Sequence, residues 1–319
     1  MSPEEKQIAR VLFKLKIYQS MGFQFENLFA EIMEYSRPTF RKIRPYGNQG
    51  DGGNDGYESA HGRYFQVFSP KNPQFSEYNA IKKAAEDFEE KLIPHWQAVC
   101  EVKEYFFVFN DKYHSTFLEL EKQLRVIKTK FHLQAATVFY AKDLESEFMR
   151  LDDEYIIMIL GGIPNMESIQ AVDYSILSEV INHILDSPPQ LINLGIPVAP
   201  DFEEKIIFNS LSQTGHYLRS KAREAWHIDD YFSKNSNYDK QTLRDYLAGY
   251  YAESLTQVDI NQADAESRGD LRFAFILNKI APSTGKNLHD RLLKDAALVV
   301  MAKYFESCDI FEEPQNATS

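Results

Sequence analysis

The chain has 319 residues, 44% of them hydrophobic and 26% charged, with 14 glycines and 13 prolines. That composition supports two packed domains and excludes a collagen-like or low-complexity fibre. With 35 basic against 47 acidic residues the formal net charge is −12, which excludes a protein that coats nucleic acid along its whole surface; any phosphate contact must be local or shared with a partner.

Two cysteines, Cys100 and Cys308, are too few for a disulfide framework or a Cys-rich zinc site. The longest apolar run, Tyr155 to Ile163, falls well short of the roughly 20 residues that span a bilayer. The opening Met1-Ser2-Pro3-Glu4-Glu5-Lys6 lacks the basic-then-apolar order of a secretion signal. The expectation is a cytoplasmic protein without membrane contact.

In chain order, Ile8, Val11, Leu12 and Leu15 recur at helical spacing, and Phe25, Leu28, Phe29, Ile32 and Met33 repeat that period after Gly22. Two helices are predicted. Phe40 to Tyr46 and Arg63 to Phe68 read as paired strands around a glycine-rich turn, Gly47 to Gly56. Asn79 to Gln97 reads as one long helix, Tyr105 to Phe109 as a buried strand, Ser115 to Lys128 as a helix and Leu133 to Tyr140 as a strand. Two short helices, Asp143 to Met149 and Asp152 to Leu160, follow, the second stopped by Gly161-Gly162 and Pro164. Such alternation implies a mixed central sheet flanked by helices, an α/β (α+β) domain.

Beyond Pro164 the strand-like aromatic runs disappear. Amphipathic segments at Ser168 to Leu185, Phe202 to Leu211, Gly215 to Trp226, Tyr238 to Ser254 and Leu288 to Phe305 predict a mostly α-helical second half. Ser187-Pro188-Pro189 and Gly195 to Pro200 form a proline-punctuated connector. The predicted domains are therefore 1–163 and 164–319, with the boundary anywhere in 161–200.

One constellation carries chemistry. A Mg²⁺-dependent nuclease needs a carboxylate at the end of one strand, a second oxygen ligand on the neighbouring strand, often a nearby lysine, and frequently a helix carboxylate. Gly50-Asp51-Gly52-Gly53-Asn54-Asp55-Gly56 supplies carboxylates on a tight turn, Gln66 lies on the strand face opposite Phe65 and Val67, and Glu26 is the helix carboxylate. Just upstream, Arg37, Arg41, Lys42 and Arg44 form a stretch free of acidic residues as far as Gly50. Arg41, Lys42 and Arg44 are candidate DNA contacts; a solvated strand edge explains the same residues.

Taken together, Gly22 to Leu28 (Gly-Phe-x-Phe-Glu-x-Leu), Gly50 to Gly56 and Phe65-Gln66-Val67 resemble the signature of Mrr-type restriction endonucleases of the PD-(D/E)XK superfamily. The resemblance covers roughly Met21 to Lys71 and implies a restriction-endonuclease-like fold. It makes Asp55 the principal Mg²⁺ carboxylate, Gln66 the stand-in for the usual acidic ligand, Glu26 the helix contributor and Asp51 a supporting ligand. It also expects lysine two residues after the glutamine, where this chain has Phe68. Lys71 is the nearest replacement, but Pro70 ends ladder pairing on that strand, so Lys71 either curls back to the metal or points into solvent.

A second likeness runs through the whole chain. Phe25 to Met33, Arg44 to Asp51, Asn54 to Tyr57, Phe65 to Pro70, Phe202 to Ser212 and Asp230-Tyr231-Phe232 are similar to proteins of bacterial ABC-three-component (Lamassu-like) defence systems. That resemblance implies anti-phage or anti-plasmid defence, with partnership to an SMC-like or ABC-type ATPase and a further subunit; a homo-oligomer is compatible with it.

Plainer readings exist for each feature. Gly50 to Gly56 suits a simple hairpin turn, Gln66 a backbone-satisfied amide, and Glu26 a solvated helix residue. No Gly-Lys-Ser/Thr follows the glycines, which excludes a phosphate loop. The eight histidines show no His-x-x-x-His pair, and no Gly-x-Ser-x-Gly occurs. The aromatic group Trp226, Tyr231, Phe232, Tyr246, Tyr250 and Tyr251 reads as helical core or protein interface. Two functions stay open: an endonuclease using Asp55, Gln66, Glu26 and Lys71, and a nuclease-fold adaptor that binds DNA or partner proteins without cutting.

Overall fold

Apolar residues at helical spacing open the chain, and they form α1 (Pro3–Gln19) and α2 (Phe23–Ser36). The computed structural model describes residues 1–45, 50–70, 76–114, 117–164, 173–189, 201–235, 240–258, 265–307 and 310–313. Of the sequence expectations, Tyr46 at the end of the first strand, turn residues 47–49, Lys71, the helix start at Ser115, residues 168–172 of the next segment, the connector Gly195 to Pro200, Tyr238 and Cys308 lie outside these. The chain divides into two compact units, Lys16–Asp152 and Met1–Leu15 with Asp153–Ser319.

In the first unit come β1 (Phe40–Lys42), β2 (Gly56–Glu58) and β3 (Arg63–Phe68); β1 and β3, expected to pair with each other, each pair with β2 instead. Then come α3 (Ser76–Glu86), a π-helical turn (Asp87–Leu92) and α4 (Ile93–Trp96), followed by β4 (Glu104–Phe109), α5 (Leu118–Lys130), β5 (Ala135–Tyr140) and α6 (Ala141–Phe148). The strands build one mixed sheet in the order β1-β2-β3-β4-β5. The first two pairings are antiparallel, with Tyr57 opposite Tyr64. The last two are parallel, with Gln66 beside Phe107 and Phe107 beside Val138. Antiparallel neighbours tolerate tight turns, whereas each parallel step needs a crossover, here the α3–α4 segment and α5.

Alternation along the strands sends successive side chains to opposite faces. Tyr64, Tyr105, Phe107 and Val138 face Ala80, Ala84 and Phe88 of the crossover and Leu120, Leu124 and Ile127 of α5. On the other face Phe29 of α2 meets Phe40, Phe65 and Phe139 at ring separations of 5.9, 5.7 and 5.8 Å. Gln66 and Phe68 share the parity of Tyr64 and so belong to the α3–α5 face. The helix expected from Asn79 to Gln97 runs without a break from Ser76 to Trp96 but widens into a π turn: Ile93 N–H donates to the Phe88 carbonyl, five residues back, just before Pro94, which has no N–H to continue an α ladder.

The second unit is helical among its described residues: α7 (Asp153–Leu160), α8 (Tyr174–Asp186), α9 (Phe202–Phe208), α10 (Gly215–Ala222), α11 (Trp226–Lys234), α12 (Lys240–Gln257), α13 (Ala265–Ile280) and α14 (Asn287–Glu306). Every residue of α14 from Leu293 to Met301 is buried, as for a helix at the centre of a bundle. The start of α1 joins this unit: the Tyr217 hydroxyl donates to the Glu4 carbonyl at 3.1 Å and Arg291 pairs with Glu5 at 3.0 Å. The observed division differs from the expected 1–163 and 164–319, since residues 1–15 and α7 go with the helical unit. Of the aromatic group, Tyr231, Phe232, Tyr250 and Tyr251 are core, while Trp226 is exposed. No described helix is long and apolar enough to cross a membrane.

Candidate active site

The loop from β1 to β2 is shaped by its own short polar side chains. Asp51 Oδ1 accepts from Gly53 N–H at 2.7 Å, and Asn54 Oδ1 accepts from Gly56 N–H at 3.1 Å. Gly53 adopts φ +75°, and a Cβ there would meet the Asp87 carbonyl oxygen at 2.5 Å, so the loop is seated on the π-helical turn at a distance only glycine allows. Trp96 Nε1 donates to the Asp51 carbonyl at 3.2 Å and holds the other end.

This seating delivers Asp55 into the sheet. Asp55 N–H donates to the Phe65 carbonyl at 2.9 Å, and Ile43 N–H donates to the Asp55 carbonyl at 3.0 Å. Its carboxylate then lies across β3, where Oδ2 accepts from Gln66 Nε2 at 2.8 Å and from Val67 N–H at 2.6 Å. Both side chains are buried, Asp55 at 7% exposure and Gln66 at 3%. Gln66 Oε1 is buried with no hydrogen-bond partner, as is Asn54 Nδ2. Orphaned buried polar atoms are costly and uncommon, about 1–3 kcal/mol each, and an amide oxygen in that state is one that a cation can engage.

Burial pushes the Asp55 carboxyl up to about 8, and the charges of Asp51 and Glu26 add to the rise; the Val67 N–H opposes it. Glu26 is also raised, chiefly by burial and then by Asp51, against the pull of Lys42 and Lys83. Three of the four sequence-predicted acidic or amide ligands thus interact with Asp55: Gln66 by hydrogen bond, Glu26 and Asp51 through their fields. Among the described residues no three His, Cys, Asp or Glu side chains are arranged to hold a metal ion by themselves. The donor set fits Mg²⁺ in a leaner way: Asp55 and Gln66 Oε1 offer two oxygens, and Mg²⁺ ordinarily completes its shell with water and substrate phosphate.

At the position where the resemblance expects lysine, Phe68 packs against the aromatic core, its ring 6.0 Å from both Phe107 and Phe109. A cation that sequence reasoning missed is Lys83 on α3. It is paired with Asp87 of the π-helical turn, which also holds Lys91 at 2.5 Å, and its charge acts on both Asp55 and Glu26. Its place depends on how the crossover helix α3 is seated on the sheet, far from the glycine-rich loop in the chain, so no local motif could have found it.

The basic stretch does not form one face. Arg37 is engaged by Glu58 at 3.1 Å and Glu147 at 2.7 Å. Arg41 is exposed and folds back on the Pro38 and Phe40 carbonyls, while Lys42, on the opposite side of β1, donates to Asn27 Oδ1. Arg44 is exposed.

A mixed α/β unit with a buried carboxylate–amide pair, followed in the chain by a unit that is helical among its described residues, is the class that fold and site define. Residues 175–312, covering nearly all of α8 to α14, match the family described as C-terminal domain 10 of the ABC-three component (ABC-3C) systems, which supports membership in such a system. No curated protein and no solved structure matches the chain.

Proposed function

We propose that this chain is the nuclease component of an ABC-three-component defence system, a Mg²⁺-dependent DNA endonuclease of restriction-endonuclease-like fold. Its helical unit docks onto an SMC- or ABC-type ATPase, and a further subunit completes the system. The observation that carries this reading is the Asp55–Gln66 pair: two buried oxygen ligands, one just ahead of β2 and one on β3, the amide oxygen orphaned, with Glu26 and Asp51 acting to raise Asp55.

When bound, Mg²⁺ would polarise the scissile phosphate and make a bound water acidic. Asp55 would hold the ion, with its Oδ2 fixed by Val67 N–H and Gln66 Nε2. Gln66 Oε1 would complete the protein ligands, and Glu26 would accept a proton from water in the outer shell. Lys83, oriented by Asp87, would offset charge on the phosphate, with Lys71 the alternative source. The test is cleavage of plasmid by the complex reconstituted with its ATPase in Mg²⁺. Native complex should cut; Asp55→Ala should abolish cutting, and Lys83→Met should slow it about 100-fold, the scale of one preorganised charge. An intact plasmid with the native complex, or full activity in Asp55→Ala, rejects the enzyme.

Phe68 favours a second reading. With an aromatic ring where the resemblance expects lysine, the unit would serve as an adaptor that keeps the fold and binds DNA or partner proteins. Metal-dependent cutting by the native complex rejects that reading.

A further inference from the structure

Phe23 is the first residue of α2, and 68% of its surface is exposed, although Phe25, Leu28 and Phe29 of the same helix are buried. A single exposed phenylalanine needs no explanation. This one belongs to a set. The Lys42 ammonium stands 5.6 Å from its ring centroid and donates to Asn27 Oδ1. Phe23, Glu26 and Asn27 occupy positions i, i+3 and i+4, one face of the helix, and the Lys42 charge acts on Glu26. Met21, just ahead of the helix, is also exposed, at 41%. An open aromatic ring and Glu26 therefore lie within one turn of α2, with the Lys42 ammonium beside the ring.

That order of groups suits one polymer. A nucleic-acid strand alternates anionic phosphate with flat, π-faced bases. For such a strand Lys42 offers its charge to a phosphate, and Phe23 beside it offers a ring face to the neighbouring base. In an intact duplex base faces are hidden in the stack, so the ring can be used only by a base that is unpaired. We infer that Phe23 is a base-stacking residue and that the site takes an unpaired strand, as in single-stranded, frayed or flapped DNA, in preference to continuous duplex. The inference rests on the nuclease-type reading of the Asp55–Gln66 site. Charge complementarity favours nucleic acid over an apolar protein segment, because Lys42 flanks the ring and exposed Arg44 lies two residues on in the chain.

The test is fluorescence anisotropy of end-labelled oligonucleotides, single-stranded and blunt duplex of one sequence, with the full chain at fixed salt and Ca²⁺ in place of Mg²⁺. Native protein should bind the single strand at least about tenfold more tightly than the duplex. Phe23→Ala should weaken single-strand binding about 5- to 150-fold, the range for one lost base–aromatic stack, and leave duplex binding unchanged. Phe23→Trp should bind as native, and single-stranded DNA should quench its added indole fluorescence. Unaltered melting temperatures exclude misfolding as the cause. Single-strand binding by Phe23→Ala equal to native, or native preference for duplex, overturns the inference while leaving the nuclease-type reading in place. Absence of binding to either DNA overturns both. If Phe23→Ala keeps DNA binding but fails to co-purify with the ATPase subunit, the ring belongs to a protein interface and the inference is wrong.

Discussion

Asp55 is a carboxylate held where a charge is costly, and its titration exposes that cost. Its carboxyl ordinarily titrates near 3.8, as it would in the unfolded chain, but near 8 in the folded protein. Between those values the folded state keeps a proton that the unfolded state has released, so this residue makes stability fall as pH rises from about 4 to about 8. Below that window both states are protonated and the effect is absent; above it the full penalty is present. Asp55→Asn cannot ionise, yet its amide still offers an oxygen to Val67 N–H. Thermal melts in the absence of divalent ions should therefore show the variant more stable than native at pH 9, by several degrees, with the gap closing by pH 4. A gap independent of pH would show that Asp55 is ionised throughout. Divalent ions should shrink the gap at pH 9, because a bound cation compensates the native carboxylate and the variant lacks that charge. Asp55 and Gln66 were legible in the sequence because glycines and strand alternation place them within one short, continuous stretch. Lys83 was not, since its position depends on how a distant crossover helix is seated.

At the scale of elements, the decisive contact is between the β1–β2 loop and the π-helical turn. A period of apolar residues runs unbroken from Asn79 to Gln97, so an uninterrupted helix is what the pattern predicts, and the wider π turn leaves no periodic trace. The turn nevertheless sets where Asp87 stands, and Asp87 in turn holds Lys83 and Lys91. Gly53 is the matching part on the loop. Gly53→Ala would have to adopt φ +75° and place its Cβ 2.5 Å from the Asp87 carbonyl oxygen. Strain of this kind costs on the order of 1–3 kcal/mol before the clash is counted. The variant should unfold at lower temperature and lose cleavage along with it, and Gly50→Ala is the control, since a Cβ at that φ +62° glycine meets nothing within 4 Å. Equal losses at both positions would mean that backbone conformation, and not seating on the turn, is what matters. Four of the five strands were anticipated, because aromatic and β-branched runs bounded by glycine and proline have few other uses; β2 was not, since Gly56 read as the end of a turn, and β1 and β3, which read as a pair, each pair with β2 instead.

At the scale of the molecule, apolar periodicity identifies which face of a helix is buried but not which core receives it. That is why the first helix read as part of the sheet-containing half, whereas residues Met1–Leu15, which include most of it, belong to the helical unit. Glu4 accepts from Tyr217 of α10, and Glu5 pairs with Arg291 of α14. Ile8, Val11 and Leu12 are almost fully buried, and burial of such side chains is worth roughly 1.5–3 kcal/mol each. Those energies sum to a sizeable share of the 5–15 kcal/mol that typically separates a folded domain from its unfolded state. A chain beginning at Lys16 should consequently lose amide-exchange protection in α10 and α14, while β4 and β5, whose core is supplied by α3, α5 and the π-helical turn, keep theirs. Hydrogen exchange resolved by segment separates the possibilities. Unchanged protection in α10 and α14 would show that the helical unit is complete without the N-terminus, and loss confined to β4 and β5 would return these residues to the sheet-containing unit. The expected pattern would mean that a helical unit similar to an ABC-three-component C-terminal domain is closed by the residues that begin the chain, so that the sheet-containing unit is inserted between two parts of its neighbour.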